Sequence, residues 1–508
     1  MRKFSDIHWA SAVVLACVVA YLNTFWNGFV WDDWDFIVGD ASIRNLGNVP
    51  SYFTNPSLHG MYPPLATSLY SVTYAVWGLN PVGYHLNALL LHTLCSVAVY
   101  LIGKELLGKR EYSAVAALLF AVHPAHTERV ADMTASFDML AVTFTLLSLH
   151  QYLKGRTNLS LGLFLIGLFS SEASLTLPFL IVFHQLAYGK KDARKAAPYF
   201  ITLALFMLLR TEVLGSVART GEYATGGLTQ SILAAPGIVV AYIGQMTVFQ
   251  LTVCHTPQVP DSPLTPGFIL PGAAVIMVLY LAITAKNPGF KYSLLWFGST
   301  LIPYMNLLPQ VTAMADRYLY LPSAGFCLLG GAIAKKLHQR NKAHGKALAI
   351  AIAALLAFYT LETIKRNRDW RTEETLWSST VKTNPGCGMA YINRGDAYLS
   401  QNRFDEAIKQ YSLALNAKEG PKSGNTPWKS WNNLGIAYAK KGECTRALEA
   451  YGNAIRESPG NIRVLLNKAT TQEECGRNQE ASETYQTILA QNPENRWARE
   501  GLKRLEGR

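Results

Sequence analysis

A succession of apolar stretches, separated by short basic clusters, most limits what this 508-residue chain can fold into. A helix needs about 20 mostly apolar residues to cross a bilayer. Stretches of this kind run near 8–26, 82–103, 112–124, 137–153, 158–172, 174–188, 197–214, 267–285, 291–309, 318–334 and 346–363. They predict an all-α, polytopic bundle of about eleven spans, with the aromatic, proline-containing stretch 62–79 lying along the interface. Hydrophobic residues make up 50% of the chain, yet mean hydropathy is only +0.12. An apolar part joined to a polar part averages to such a value.

The net charge of +12 comes from basic residues grouped between apolar runs. That grouping reads as membrane topology and excludes a nucleic-acid footprint. Arg2 with Lys3, Lys104 with Lys109 and Arg110, Lys154 with Arg156, Lys190 to Lys195, Lys286 with Lys291, and Lys335 to Lys346 are expected on the cytoplasmic side. Alternating spans satisfy all of these only if 231–253 is re-entrant or interfacial. The same parity puts Asp32, Asp33, His123 to Asp132, Glu172, Arg219 and Asp316-Arg317 together on the opposite side. Only the cluster Lys365, Arg366, Arg368 and Arg371 stands against it. Met1-Arg2-Lys3 before an apolar run without a small-residue cleavage site reads as a retained signal anchor.

From about 372 the composition turns polar and a repeat begins. Trp431, Leu434, Gly435, Tyr438, Ala447, Tyr451, Ala454 and Pro459 follow the tetratricopeptide pattern. Ala447 and Ala481, like Tyr451 and Tyr485, stand 34 residues apart. An earlier unit carries Gly395, Tyr398, Ala407, Tyr411 and Ala414. A half unit at 374–385 precedes it, and 495–505 reads as a capping helix. The expected division is a membrane domain at 1–363, a connector and half repeat at 364–386, and a repeat domain at 387–508. Stacked repeats of this type present a concave surface for a protein or peptide. Of seven cysteines, Cys17, Cys95, Cys254 and Cys327 fall in apolar segments, and Cys387, Cys444 and Cys475 in the polar part. No metal-ligand spacing occurs among them, and nothing in the sequence supports a Cys444–Cys475 pair over free thiols.

Four polar constellations interrupt the apolar pattern. The first is Gly28-Phe29-Val30-Trp31-Asp32-Asp33-Trp34-Asp35, just past the first span. Adjacent side chains point in different directions, so one of Asp32 and Asp33 would serve as general base and the other as an orienting group. The second is His123-Pro124-Ala125-His126-Thr127-Glu128-Arg129. Pro124 and the lack of a third ligand favour a polar turn that shapes a site over metal binding. Arg129, Arg210, Arg219 and Arg317 are candidates to grip a phosphate, because a guanidinium offers paired donors. The third is Glu172, an acid between two apolar runs without cations nearby in sequence. The fourth is Asp316-Arg317 before Tyr318-Leu319-Tyr320-Leu321-Pro322-Ser323.

The order of these motifs resembles the transmembrane and tetratricopeptide-repeat O-mannosyltransferases and their bacterial relatives. The resemblance is carried by Gly28 to Asp33, Tyr62 with Pro64-Leu65, Tyr84-His85-Leu86-Asn87 with His92, Leu119 to Pro124 with His126 to Glu128, Asp138 to Ala141, Arg317 to Ser323, and then the repeats. It implies a GT-C type fold that takes a sugar from a polyprenyl-phosphate donor, with Asp32 and Asp33 catalytic. On this reading Arg129, Glu172, Arg219 and Arg317 bind donor phosphate or sugar, and His123, His126, Glu128, Asp138 and Asp316 shape the site. Three cations of that pattern are replaced here, by Pro63, Ser136 and Ser171. The implied partners are membrane lipid, the lipid-linked donor and a protein or peptide acceptor held by the repeats. No cofactor is indicated, and a divalent cation is left open. The implied location is a bacterial inner membrane with periplasmic repeats. The alternative is a non-catalytic scaffold whose repeats recruit partners for envelope assembly.

Overall fold

The computed structural model describes residues 5–55, 61–190, 192–216, 223–307, 309–310, 312–417 and 427–506, and among these the regular structure is helical throughout. Two compact units result. One comprises Met1–Val253 with Pro257–Thr372, and the other Glu373–Arg508 with the short piece Cys254–Thr256. The first unit therefore extends past the expected end of the membrane part. Asn367 explains why, because its Nδ2 donates to the Ala20 carbonyl at 2.9 Å while Asn27 Nδ2 donates to the Asn367 carbonyl at 3.0 Å.

The first unit contains α1 (Asp6–Tyr21), α2 (Pro64–Trp77), α3 (Pro81–Leu107), α4 (Arg110–Ala121), α5 (Thr127–Ala131), α6 (Ser136–Leu153), α7 (Thr157–Leu168), α8 (Leu177–Ala187), α9 (Ala193–Leu214), α10 (Leu228–Val248), α11 (Pro266–Thr284), α12 (Pro288–Leu301), α13 (Tyr320–Arg340) and α14 (Gly345–Asn367). The 27-residue α3 carries buried residues along its whole length and lies at the centre of the main core. α11 is the opposite case, with Ala282 its one buried residue and an apolar surface all round, the pattern of a helix solvated by lipid. Small residues let α13 approach its neighbours. A Cβ at Gly325 would stand 2.8 Å from Trp296 of α12, and one at Gly331 would stand 2.6 Å from the Tyr112 carbonyl of α4.

Helix length and composition recover only part of the expected count of about eleven spans. Among the described residues six helices are long and apolar enough to cross a membrane, or seven if the pair Pro124–Ala131 and Ser136–Leu153, bent by 116°, is one span. α4, α7 and α8 have 12, 12 and 11 residues. At 1.5 Å per residue such helices fall well short of a hydrocarbon core about 30 Å thick. α10 has the length and composition of a span. Its buried stripe of Ala234, Ile238, Tyr242 and Met246 nevertheless shares a cluster with Ala125, Leu301, Met314 and Leu319, which sit in or beside loops. Tyr242 Oη accepts the Ala315 N–H at 3.3 Å, and the Met246 carbonyl accepts from His123 Nε2 at 3.2 Å. These contacts tie the C-terminal half of α10 to loop residues, while its length and composition are those of a span, against the re-entrant or interfacial placement expected of 231–253.

The second unit begins with α15 (Glu373–Thr383). The helix pairs α16 (Gly388–Ser400) with α17 (Phe404–Leu415), α18 (Pro427–Lys440) with α19 (Cys444–Glu457), and α20 (Ile462–Glu474) with α21 (Asn478–Gln491) follow. α22 (Arg496–Glu506) closes the stack. The repeat signature has a steric basis. A Cβ on Gly395 would lie 2.4 Å from the Tyr411 ring, one on Gly435 2.5 Å from Tyr451, and one on Gly501 of the cap 2.4 Å from Tyr485. Two disulfides stitch the unit, Cys444–Cys475 and Cys254–Cys387. The second corrects the grouping of Cys254 with the cysteines of apolar segments. Past α10 the chain leaves helical structure, and Asn384 Nδ2 donates to the Cys254 carbonyl at 3.0 Å. Cys17, Cys95 and Cys327 remain free and buried.

Replacing Gly435 by Ala is expected to destabilise the repeat unit by about 1–3 kcal/mol through overpacking on Tyr451. Ala at Gly452, where an added Cβ meets nothing within 4 Å, is expected to be stabilising by about 0.5–1 kcal/mol. Urea unfolding of the full chain, followed by limited proteolysis of the repeats, compares the two.

Candidate active site

The loop after α1 turns sharply at Trp31, whose φ of 52° is left-handed. The turn sends the two neighbouring acids different ways. Asp33 is 0% exposed. Its Oδ2 accepts the Val30 N–H at 3.1 Å and its Oδ1 the Thr134 N–H at 2.9 Å. The carboxylate thus joins the first loop to the turn between α5 and α6. Asp132, 2% exposed, stands on the same turn, and its Oδ1 accepts from Thr134 N at 2.9 Å and from Thr134 Oγ1 at 2.5 Å. Asp32 is partly exposed and close enough for its charge to act on both Asp132 and Arg317. Burial raises the Asp33 carboxyl well above the usual carboxylate range, and the charge of Asp132 raises it further. Burial, followed by the charge of Asp32, pushes Asp132 up to about 6 against the opposing Thr134 hydroxyl.

Three arginines face this region, and each meets a carboxylate. Arg129, 3% exposed, binds Asp138 at 2.5 Å through Nη1 and donates Nε–H to the Arg317 carbonyl at 2.9 Å. Arg317 binds Glu128 twice, Nη1 to Oε1 at 2.6 Å and backbone N–H to Oε2 at 3.1 Å. Its guanidinium lies 5.3 Å from the ring centres of both Trp31 and Tyr318. With its side chain 18% exposed, Arg317 is more open than Arg129 or Arg210. Arg210 of α9 binds Glu172 through Nε and Nη2 at 3.2 and 3.0 Å. Glu172 therefore does have a cationic partner, supplied by a helix distant in sequence.

The remaining expected residues divide between core and site. His123 accepts the Ala125 N–H on Nδ1 and donates from Nε2 to Met246, so it acts as a neutral hinge of the turn. His126 is hydrogen-bonded to Ser323 at 2.7 Å and packs its ring 4.4 Å from Phe120 and 4.8 Å from Tyr320. Among the described residues no three His, Cys, Asp or Glu side chains are placed to hold a metal ion. Asp316 is buried at the start of the turn before α13. Arg219 lies outside the described residues. Of the three replaced cations, Ser171 donates its hydroxyl to Asp138, and Ser136 donates to Tyr70 Oη at 3.4 Å. Pro63 is buried at the start of α2. Sequence reasoning missed Asp132 and Thr134 as the partners of Asp33. The available signal was Asp132-Met133-Thr134, a short acid two residues ahead of a backbone N–H that it can cap.

Together these features define an integral membrane protein of helical architecture, with a cluster of ion-paired acids at its loop face and a C-terminal tetratricopeptide-repeat domain. The chain is similar in sequence to protein O-mannosyl-transferases. It is 24% identical to protein O-mannosyl-transferase TMTC3 of Mus musculus, over 97% of this chain and 61% of the relative. It is 25% identical to protein O-mannosyl-transferase F38B6.6 of Caenorhabditis elegans, over 78% of this chain and 61% of the relative. The chain thus spans about three-fifths of the length of the curated relatives it matches. Two tetratricopeptide-repeat models match residues 366–423 and 438–503. Among solved structures, ArnT from Cupriavidus metallidurans bound to undecaprenyl phosphate is 15% identical with a TM-score of 0.40, over 88% of this chain and 80% of that one.

The raised carboxyls make stability depend on pH. For Asp132 the folded value exceeds the unfolded one, so its contribution is complete below about 4 and is lost as pH rises through about 6. Detergent-solubilised protein is expected to lose up to about 3 kcal/mol across that window. Asp132→Asn should flatten the dependence, as read by thermal unfolding at pH 4, 5, 6 and 7. Asp33→Ala orphans the buried Val30 N–H, while the Thr134 N–H keeps Asp132 as acceptor, and is expected to lower stability by about 1–3 kcal/mol.

Proposed function

We propose that this protein moves a sugar from a polyprenyl-phosphate donor to a hydroxyl acceptor, a protein Ser or Thr, on the non-cytoplasmic side of its membrane. The observation that carries the reading is the division between the tandem acids. Asp33 is committed to two backbone N–H groups, while its neighbour Asp32 is partly exposed and acts electrostatically on Arg317. In the reaction the acceptor oxygen bonds to the anomeric carbon as the bond from that carbon to the phosphate oxygen breaks. The acceptor proton passes to Asp32, and polyprenyl phosphate departs with its charge met by Arg317. Arg129 is a positioning residue here, because its guanidinium holds Asp138 and the Arg317 backbone. The Arg210–Glu172 pair stiffens the adjoining loop.

The names of the relatives support mannose as the sugar and protein as the acceptor. The repeats suit retention of that acceptor, and two disulfides in the repeat unit suit an oxidising compartment, in a bacterial cell the periplasm. A non-catalytic scaffold is the second reading. It is favoured by the engagement of Arg129, Arg210 and Arg317 each with a carboxylate, so that a donor phosphate would compete with Glu128 for Arg317.

Purified protein, a radiolabelled polyprenyl-phosphate mannose and a Ser/Thr-containing acceptor separate the two readings. Asp32→Asn is expected to lower kcat at least about 100-fold with an unchanged thermal transition. Transfer by Asp32→Asn equal to that of the wild type would overturn the assignment.

A further inference from the structure

We propose that the hairpin between α13 and α14 holds an anionic glycerophospholipid of the surrounding leaflet, with its phosphate at the turn and its acyl chains along the two helices. The site is a cavity of about 450 Å³ formed by Leu337 and Arg340 at the end of α13, Asn341 and His344 in the turn, and Ala347 and Leu348 at the start of α14. The volume lies in the range of small-molecule sites. On the topology expected from the basic clusters, this hairpin faces the cytoplasm.

The polar part of the wall offers donors and positive charge. Between Asp316 and Glu362 the chain carries Lys335, Lys336, Arg340, Lys342 and Lys346 and no acid. Lys335 donates to the Leu107 carbonyl at 2.6 Å, and the Arg340 guanidinium has no hydrogen-bond or ion-pair partner among the described residues. Asn341 Oδ1 accepts the Ala343 N–H at 3.2 Å, so its Nδ2 is left to donate toward a ligand. A phosphodiester answers both the charge and the donors, and basic pockets between membrane helices are suited to such headgroups.

The apolar part of the wall decides for a lipid over a free anion. Leu337 stands one helical turn before Arg340, and Leu348 one turn after His344, so the wall passes from polar to apolar within a turn on each helix. Beyond the cavity the apolar surface continues uncovered by protein. α13 has no buried residue after Ala334, and α14 has none before Tyr359. Ile333 and Leu337 on the first helix and Ile350 and Leu355 on the second are exposed. A small anion would leave these side chains bare, whereas acyl chains attached to the bound headgroup cover them. The isoprenoid donor is not the occupant on this topology, which puts Asp32 and Arg317 on the opposite side, and the site does not depend on the transfer reaction.

Native mass spectrometry of the full-length protein, released from micelles that contain equal amounts of phosphatidylglycerol and phosphatidylcholine with the same chains, tests the assignment. Retained phosphatidylglycerol is expected to exceed retained phosphatidylcholine. Arg340→Gln should lower that retention about fivefold, the weight of one cation at an anionic headgroup, with an unchanged thermal transition in lipid-free micelles. Arg156→Gln, which removes a charge of the same expected side outside the hairpin, should leave it as in the wild type. Glycerol phosphate, a headgroup without chains, should not displace the bound lipid. The inference is overturned if phosphatidylcholine is retained equally, if Arg340→Gln retains phosphatidylglycerol like the wild type, if Arg156→Gln loses as much, or if glycerol phosphate displaces the lipid.

Discussion

The loop face of the membrane unit depends on the carboxylate of Asp33. It is buried completely and divides its oxygens between Val30, in its own loop, and Thr134, on the turn between α5 and α6. These are backbone partners, so the link is indifferent to side-chain changes around it and holds two chain segments about a hundred residues apart. Asp132 crowds the same N–H and raises the cost of ionising the pair.

Around that link, buried charge is handled by pairing. A guanidinium or carboxylate taken out of water without a partner costs several kcal/mol, and a well-aligned pair recovers much of that. Arg129 with Asp138, Arg317 with Glu128, and Arg210 with Glu172 each join elements distant in sequence. The arginines are therefore both scaffold and charge, and exposure separates their roles. Arg317, set between Trp31 and Tyr318, has room to answer a developing negative charge. Arg129 is enclosed and acts through what it holds.

The sequence was readable where a local pattern carries the physics. The tetratricopeptide period survives in the structure because Gly435 and Gly395 sit under tyrosine rings that admit no Cβ. The cap at 495–505 appears as α22. Span counting was less secure, because hydropathy along the chain does not distinguish α7, with 12 residues, from a helix of full spanning length. Pairings were hidden altogether. Nothing near Glu172 in the chain announces Arg210, and Cys254 sits in an apolar context far from Cys387.

The sequence by itself determined the division into an apolar bundle and a repeat stack, the acid pair after the first span, and the resemblance that goes with them. Periodicity, composition and the order of short motifs are properties of neighbouring residues, and neighbours are what a sequence displays. Only the tertiary structure decided that Asp33 is a brace and Asp32 the partly exposed acid, and that each of three arginines meets its own carboxylate. Those are matters of burial and of which distant groups share a low-dielectric space, and they exist only once the chain has closed on itself.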